Sequence, residues 1–430
     1  MSGSSSSTHK TTRTSGCDPS SLETGRSSKI QVSNQRSESS LQALPEAPAK
    51  VSWRERLRHF TWSQFEITMG TGAMAALMAQ QPNSFEGVRT IGKIFFLLDI
   101  ILFALFTGCI AFRFFDNPRA FKKSLHHPHE SFFFGAYWVS IAFILYNMQE
   151  YGVRACGPWL VQTLEILYWI YVGCVLLVVV FQYHIIFDEE VLPVSEVMPA
   201  WLLPAYPFLI LGPLSADLLN SQPAESGVPI LIGGIMFAGF GWGIAFIMYT
   251  LYFTRLITRF LPTEPKRPGM YVAVGPAAYT ANALVSLGMK APKILPPDYL
   301  GITSGIPAGE IWRAVGVPAG IFVWLLGFWF FSLATISVLK GFHKMHFTLN
   351  YWSFVFPQAG LTIAAIEIGN VLESSTIKGL TSGMTILLVV AWIAVSVLTI
   401  KGILDKQCLW PGMDEDEEEM ESEGFIWSRE

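Results

Sequence analysis

Ten apolar segments dominate the sequence, each close to or above the roughly 20 residues that a helix needs to cross a bilayer. They fall at 60–79, 90–115, 131–151, 159–186, 199–220, 228–257, 270–288, 312–339, 349–370 and 379–403. Charged residues make up only 14% of the chain, against about 25% in a typical soluble domain. The sequence therefore predicts an all-α polytopic membrane protein with ten transmembrane helices.

The segments outside these spans predict the domain organisation. Residues 1–49 are rich in Ser and Thr and poor in aromatic residues, which predicts a disordered N-terminal tail. Residues 50–405 form the ten-helix domain, and residues 406–430 form an acidic C-terminal tail. Basic residues cluster before span one and after spans two, six and eight. The positive-inside rule therefore predicts a multi-pass protein with both termini in the cytoplasm.

Odd-numbered and even-numbered spans differ in their breaker residues. Most odd spans contain proline or clustered glycine, such as Gly70 and Gly72, Gly275 and Pro276, or Pro357, and span three is the exception. The even spans are long apolar runs without a central proline. A broken helix inside a membrane needs protein or water around its freed carbonyls. We therefore expect five helical hairpins, with an inner ring of five kinked helices around a pore.

Span nine carries the most unusual pattern. At helical spacing, one stripe of this span is small or polar except for a single phenyl ring, and it comprises Ser353, Phe356, Gly360, Ala364 and Glu367. Such a stripe is consistent with a pore wall that has one aromatic plug. It is equally consistent with a helix–helix contact between small residues, in which the ring is ordinary filler.

The polar residues of the odd spans favour an anion over a cation. Loosened helix turns expose backbone N–H groups, which attract negative charge. Neutral side-chain donors would add to them; the candidates are Thr68, Thr71, Thr280, Asn282, Ser353 and Gln358. At the start of span seven, Lys266 and Arg267 would gather anions at the cytoplasmic mouth, although they also fit a plain positive-inside signal.

Acidic residues within the spans are few: Glu66, Asp99, Glu150, Glu165, Asp217 and Glu367. An acid buried in a span is a candidate functional group, and proton coupling is the obvious role for Glu367. The alternative is that Glu367 lies near the external interface and pairs with Lys378. The sequence contains no zinc motif, Walker loop or nucleophile elbow. We therefore expect no metal site, cofactor, catalytic activity or nucleic-acid partner.

Seven motifs, taken together, resemble those of the fungal malic acid transport proteins. They are FTWSQFEITMGTG (60–72), TIGKI (90–94), FRFF (112–115), RPGMYVAVGPAAY (267–279), WSFVFPQAG (352–360), EIG (367–369) and CLWPGMDEDE (408–417). These transporters carry C4-dicarboxylates. They belong to the tellurite-resistance/dicarboxylate transporter family, which is related to sulfite efflux pumps and plant slow anion channels. The resemblance runs from about Val51 to Glu417.

The resemblance implies a quasi-five-fold inner pore, a homotrimer with one pore per subunit, and a place in the plasma membrane. It implies that Phe356 occludes the pore, and its span-seven motif adds Gly275, Pro276 and Tyr279 to the candidate pore residues. The EIG and CLWPGMDEDE motifs are closer to the malate branch than to the sulfite branch. Malate is therefore the expected substrate, with succinate or fumarate also possible. Sulfite efflux and uncoupled conduction of small inorganic anions are the alternatives.

Overall fold

The computed structural model describes residues 52–127, 130–189, 192–301 and 305–405. The predicted tails, 1–49 and 406–430, lie outside the described residues. Every regular element within the described ranges is helical. The α-helices are α1 Trp53–Arg58, α2 Phe65–Ala79, α3 Val88–Asp116, α4 Pro118–Leu125, α5 Glu130–Asn147, α6 Val153–Cys156, α7 Pro158–Glu189, α8 Tyr206–Leu218, α9 Ala224–Thr258, α10 Val274–Ile294, α11 Ala308–Gly341, α12 Phe356–Val371 and α13 Ser375–Leu404.

The odd-numbered spans lie inside the protein and the even-numbered spans lie outside. In the spans containing α5, α8, α10 and α12, 61–94% of the most apolar stretch is buried, whereas in α3, α7, α9, α11 and α13 the buried share is only 17–39%. The first span is equally internal, because 14 of the 15 residues of α2 are buried. The all-α polytopic fold and its inner and outer layers are therefore confirmed.

The number of ten spanning helices is not confirmed. In the described part of the chain, nine helical segments are long and apolar enough to cross a membrane. The exception is the first span, because α2 has only 15 residues. At a rise of 1.5 Å per residue, this helix covers roughly 22 Å of a hydrocarbon core about 30 Å thick.

Four of the five inner helices begin with a 3-10 segment. These segments are Trp62–Gln64 before α2, Pro199–Ala205 before α8, Glu264–Ala273 before α10, and Leu349–Phe354 before α12. A 3-10 segment is wound more tightly than an α-helix, so the path of the chain changes where the two meet. In span nine the break precedes Pro357, which lies in the first turn of α12, where a helix tolerates a proline.

The carbonyl that Pro276 leaves without its usual partner is bonded by a neighbouring helix. Proline has no N–H group, so Pro276 cannot donate to the Val272 carbonyl four residues earlier. The hydroxyl of Tyr206, at the start of α8, donates to that carbonyl instead. A side chain of one inner helix thus stabilises the break in another, as a protein in a membrane requires.

The third span differs from the other inner spans. Its helix α5 runs unbroken to Asn147, and a π-helical turn, Met148–Gly152, then connects it to α6. Near its start, Gly135 lies against the segment Pro199–Ala205. A Cβ atom at this position would lie 2.0 Å from the Leu203 carbonyl oxygen. Only glycine lets the two backbones come this close.

Candidate functional site

Four aromatic rings meet at the centre of the inner helices. Phe356, the first residue of α12, has only 1% of its surface exposed. Its ring centroid lies 5.2 Å from that of Tyr279 on α10, 5.5 Å from that of Tyr206 on α8, and 5.9 Å from that of Phe143 on α5. These four residues form the aromatic cluster. The rings come from four different inner helices, so the cluster fills the space between them.

Two of the predicted glycines make room for this cluster. A Cβ atom on Gly360 would lie 2.6 Å from the Tyr279 ring, and one on Gly275 would lie 2.6 Å from the Tyr206 hydroxyl oxygen. The Tyr279 hydroxyl also donates a hydrogen bond of 3.1 Å to the Phe356 carbonyl. The backbone around Phe356 is therefore fixed by its neighbours.

Polar atoms flank the aromatic cluster on α12, on α10 and on the 3-10 segment Leu349–Phe354. The Gln358 side-chain amide donates to the Ser353 carbonyl at 3.1 Å, a carbonyl that Pro357 cannot serve. The Ser353 hydroxyl, the Gln358 side-chain oxygen and the Thr280 hydroxyl are buried without a hydrogen-bond partner among the described protein atoms. Most buried polar groups have a partner, so these three are suited to hydrogen-bond water or a passing polar solute.

The two predicted threonines of α2 form contacts within the helix bundle. The Thr68 hydroxyl donates to the Phe65 carbonyl at 2.9 Å and lies 2.7 Å from the Ser140 hydroxyl of α5. The Thr71 hydroxyl donates to the Ile67 carbonyl and accepts from the Trp392 indole of the outer helix α13 at 3.1 Å. The Thr71 hydroxyl thus bonds to its own helix and to an outer helix.

The predicted anion-attracting pair lies in the 3-10 segment Glu264–Ala273. Arg267 donates to the carbonyls of Pro262 and Ser337, each at 3.1 Å, and its guanidinium lies 3.5 Å from the Glu264 carboxylate. Arg267 therefore ties the start of the seventh span to the end of α11. The anion-attracting role of Lys266 and Arg267 stays a prediction.

A cavity of about 600 Å³ lies at the C-terminal ends of the inner helices. We call it the charged cavity, because seven ionisable acid or base side chains line it: Glu150, Asp217, Lys290, Lys293, Glu310, Arg313 and Glu367. Lys293, Arg313, Asn220 and Asn370 line it and are exposed, so the cavity communicates with the surface.

The charged cavity ends close to the aromatic cluster. Ile363 lines the cavity and follows Phe356 by two turns of α12, which is roughly 10 Å along the helix. Tyr146 also lines the cavity, and its ring centroid lies 6.4 Å from that of Phe143. The aromatic cluster thus lies next to the inner end of the cavity.

Glu367 lies in this charged cavity. Lys290 lines the same cavity, whereas Lys378, the alternative partner, does not line it. The structure brings Glu367 together with Glu150 and Asp217, two acids that the sequence places within spans but does not show to converge. Proton coupling by Glu367 stays a prediction.

Sequence reasoning missed Phe143, Tyr206 and Lys290. Phenylalanine and tyrosine are so common in these spans that neither ring stands out without a structure. A signal for the cavity does exist in the sequence. Glu150, Asp217 and Glu367 all fall near the C-terminal ends of odd-numbered spans, which places them at one level of a bundle whose inner helices run in parallel.

Comparison with known proteins relates the chain to anion channels and anion transporters. The voltage-dependent anion channel family matches residues 59–400. The malic acid transport protein of Schizosaccharomyces pombe is 32% identical over 85% of this chain and 83% of its own length. A putative malic acid transport protein of the same yeast is 31% identical over 85% of each chain. A sulfite efflux pump of Arthroderma otae is 26% identical over 84% of this chain and 96% of its own length.

Proposed function

Because the chain belongs to the voltage-dependent anion channel family, we propose that it carries C4-dicarboxylates, malate first among them, through the centre of its inner helices. Anion transport is the general activity that the family and the relatives support. The choice of a dicarboxylate follows the two malic acid transport proteins, which are the more similar relatives.

One observation carries the proposal of a gated pathway. The Phe356 ring is buried between rings of three other inner helices, and a charged cavity begins two turns away on the same helix. In this proposal the Phe356 side chain fills the space between the inner helices. A side chain can change rotamer while the backbone stays in place, so the path can open without refolding a helix. Phe356 is therefore the proposed gate, and Tyr279 is its nearest neighbour in the pathway.

The proposed path has a binding region at one end and polar groups beyond the gate. A dicarboxylate entering the charged cavity meets the side chains of Lys290, Lys293 and Arg313. Once the Phe356 ring moves, the buried hydroxyl of Ser353 offers the anion a donor. No bond is made or broken along this path, so the proposal does not involve catalysis.

The proposal also includes the membrane, the orientation and the oligomeric state of the protein. It places the protein in the plasma membrane with both termini in the cytoplasm, and the charged cavity then faces the outside. Lys266 and Arg267 would raise the local concentration of anions at the cytoplasmic end, by their charge. The family resemblance adds a homotrimer in which each subunit has its own pathway.

Sulfite is the second candidate substrate. Sulfite efflux pumps of three fungi are 26% identical to this chain over 95–96% of their own lengths. Their similarity is therefore spread over the whole transport domain. Sulfite is small enough to pass a displaced phenyl ring. Chloride and nitrate would fit as well, and their passage would make the protein an uncoupled channel.

Uptake into liposomes containing the purified full-length chain tests the proposal. Labelled malate and labelled sulfite are supplied in parallel, with and without an imposed pH gradient, and unlabelled succinate and fumarate serve as competitors. We expect malate uptake that both competitors reduce. Sulfite uptake without malate uptake would establish the second candidate. Anion currents far above carrier turnover, with no dependence on the pH gradient, would establish an uncoupled channel.

A further inference from the structure

Glu150 is positioned by the π-helical turn of the third span. The segment Met148–Gly152 has a wider turn than the α-helix before it, and such turns often lie at functional sites. The Gln80 side-chain amide donates to a Glu150 carboxylate oxygen at 2.9 Å. Arg89 donates at 2.6 Å to the main-chain carbonyl of Glu150. The Glu150 carboxyl group lines the charged cavity.

Asp217 approaches Glu150 from α8. Asp217 has only 4% of its surface exposed, and it lines the same charged cavity as Glu150. The Ser221 hydroxyl, four residues after Asp217, donates at 2.9 Å to the side-chain oxygen of Gln149, so the segments that carry the two acids are in direct contact. One carboxylate oxygen accepts from the Asn220 amide at 2.9 Å, and the Lys290 amine donates to that same Asn220. The other oxygen, Oδ2, is buried without a partner among the described protein atoms.

Two carboxyl groups in the wall of one cavity, one of them buried, cannot both be ionised at low cost. Like charges in such a site repel each other, and a proton held between them replaces the repulsion with an O–H···O hydrogen bond. A proton on the pair also gives the buried Asp217 Oδ2 a hydrogen bond to make. The geometry therefore suits one shared proton better than two carboxylates or two neutral acids.

The charges around the pair connect this proton to an anion. The charged or titratable groups that face it are Tyr146 of α5, Arg89 of α3, Lys290 and Lys293 of α10, Glu310 and Arg313 of α11, and Glu367 of α12. The cavity wall itself contains four of these acids and three of these bases, which together give it a formal charge of −1 when all seven are ionised. Arg89 does not line the cavity and is not counted. One proton makes the cavity neutral, and an entering anion is then repelled less.

We propose that Glu150 and Asp217 bind a single proton between their carboxyl groups, and that this pair is where the chain couples anion uptake to proton entry. The inference rests on the proposed function, which supplies the anion. It also answers an energetic need. An inside-negative potential opposes the uptake of a dianion, so accumulation of the dianion inside requires a second driving force.

The test follows protons and malate together. Full-length protein is reconstituted in liposomes that contain a pH-sensitive dye, and malate uptake and internal acidification are recorded for the natural chain and the variants Asp217→Asn and Glu150→Gln. We expect each variant to lower the ratio of protons to malate by about tenfold or more, while malate still moves down its own gradient. Glu165→Gln removes an acid from the outer helix α7, away from the cavity, and should leave the ratio unchanged.

Two outcomes would overturn the inference without touching the proposed function. One is malate uptake by the natural chain with no proton uptake at any pH. The other is an unchanged proton ratio in both cavity variants. If the natural chain moves no malate, the proposed function fails, and infrared spectroscopy of the purified protein then decides on the proton pair. The carbonyl band of a protonated carboxyl should be lost in Asp217→Asn and in Glu150→Gln; an unchanged band in both variants would refute the pair.

Discussion

The aromatic cluster and the charged cavity lie about 10 Å apart along α12, yet they have opposite chemistry. The cluster is four rings with centroid distances of 5.2–5.9 Å around Phe356. The cavity has about 600 Å³ of space and seven ionisable acid or base side chains in its wall. Under the proposed function the two regions have different roles: the cluster bars an anion and the cavity binds it.

Desolvation explains why the two tasks are kept apart. A charged solute loses its hydration in an apolar cluster and gains no partner there, so a closed cluster is a high barrier. In the cavity, by the proposed function, the same solute would keep water and meet Lys290, Lys293 and Arg313. If this account holds, changes in the cluster should alter the maximal flux, and changes in the cavity should alter the apparent affinity.

Phe356→Ala should have the largest effect, because it removes the ring at the centre of the cluster. We expect malate flux in liposomes to rise by about tenfold or more, with little change in selectivity at the cavity. Phe322→Ala is the matched control, since Phe322 lies on the outer helix α11 with 75% of its surface exposed. Equal malate flux in the two variants, at equal protein content, would show that Phe356 is not the gate.

Lys290→Gln should weaken binding in the cavity and leave the barrier intact. Removing one positive charge from the wall should raise the KM for malate by roughly tenfold, which corresponds to about 1.4 kcal/mol, with little effect on the maximal rate. Lys378→Gln is the control, because Lys378 does not line the cavity. A fall in the maximal rate at constant KM would mean that binding and barrier are not separate.

Gly360→Ala should loosen the cluster without removing a ring. The new methyl group would lie 2.6 Å from the Tyr279 ring, so that ring must shift and lose contact with Phe356. We expect malate flux to rise by roughly two- to fivefold. Gly383→Ala on α13 adds the same methyl group where no atom lies within 4 Å, and it should behave as the natural chain. A similar flux in both variants would show that the packing of Tyr279 does not hold the cluster closed.

Gln358→Ala should have the smallest effect, and the effect should be on stability. The variant loses the side-chain amide that donates to the Ser353 carbonyl, a group that Pro357 cannot serve. A buried carbonyl left without a donor costs about 1–3 kcal/mol. Thermal unfolding in detergent should show a lower midpoint. An unchanged midpoint would mean that water serves this carbonyl as well as the amide does.

The arrangement of inner and outer helices was predictable, because it follows from where proline, glycine and continuous apolar runs occur in the sequence. Prolines and clustered glycines mark most of the odd-numbered spans, and continuous apolar runs mark the even ones, which sorted the helices into inner and outer positions. The shortness of α2 was not predictable, since the apolar run 60–79 is longer than the α-helix it forms.

Only part of the candidate site could be predicted. Phe356 and Tyr279 fall within recognisable motifs, and the structure brings their rings together. Contacts between distant spans carry no local signal. The hydroxyl of Thr71 is suited to a pore, yet it bonds to Trp392 of an outer helix. In the same way, Glu150 and Asp217 become a pair only when α8 packs beside the π-helical turn.

Access to Ser353 from the charged cavity tests the central claim most directly. Ser353→Cys is made in a chain whose five native cysteines are replaced, and a membrane-impermeant thiol reagent is applied from the cavity side of sealed vesicles. Asn370→Cys, in the cavity wall, reports that the reagent arrives. The account predicts that Ser353→Cys reacts slowly while Phe356 is present and rapidly once Phe356→Ala is added. Equal labelling rates with and without the ring would contradict it.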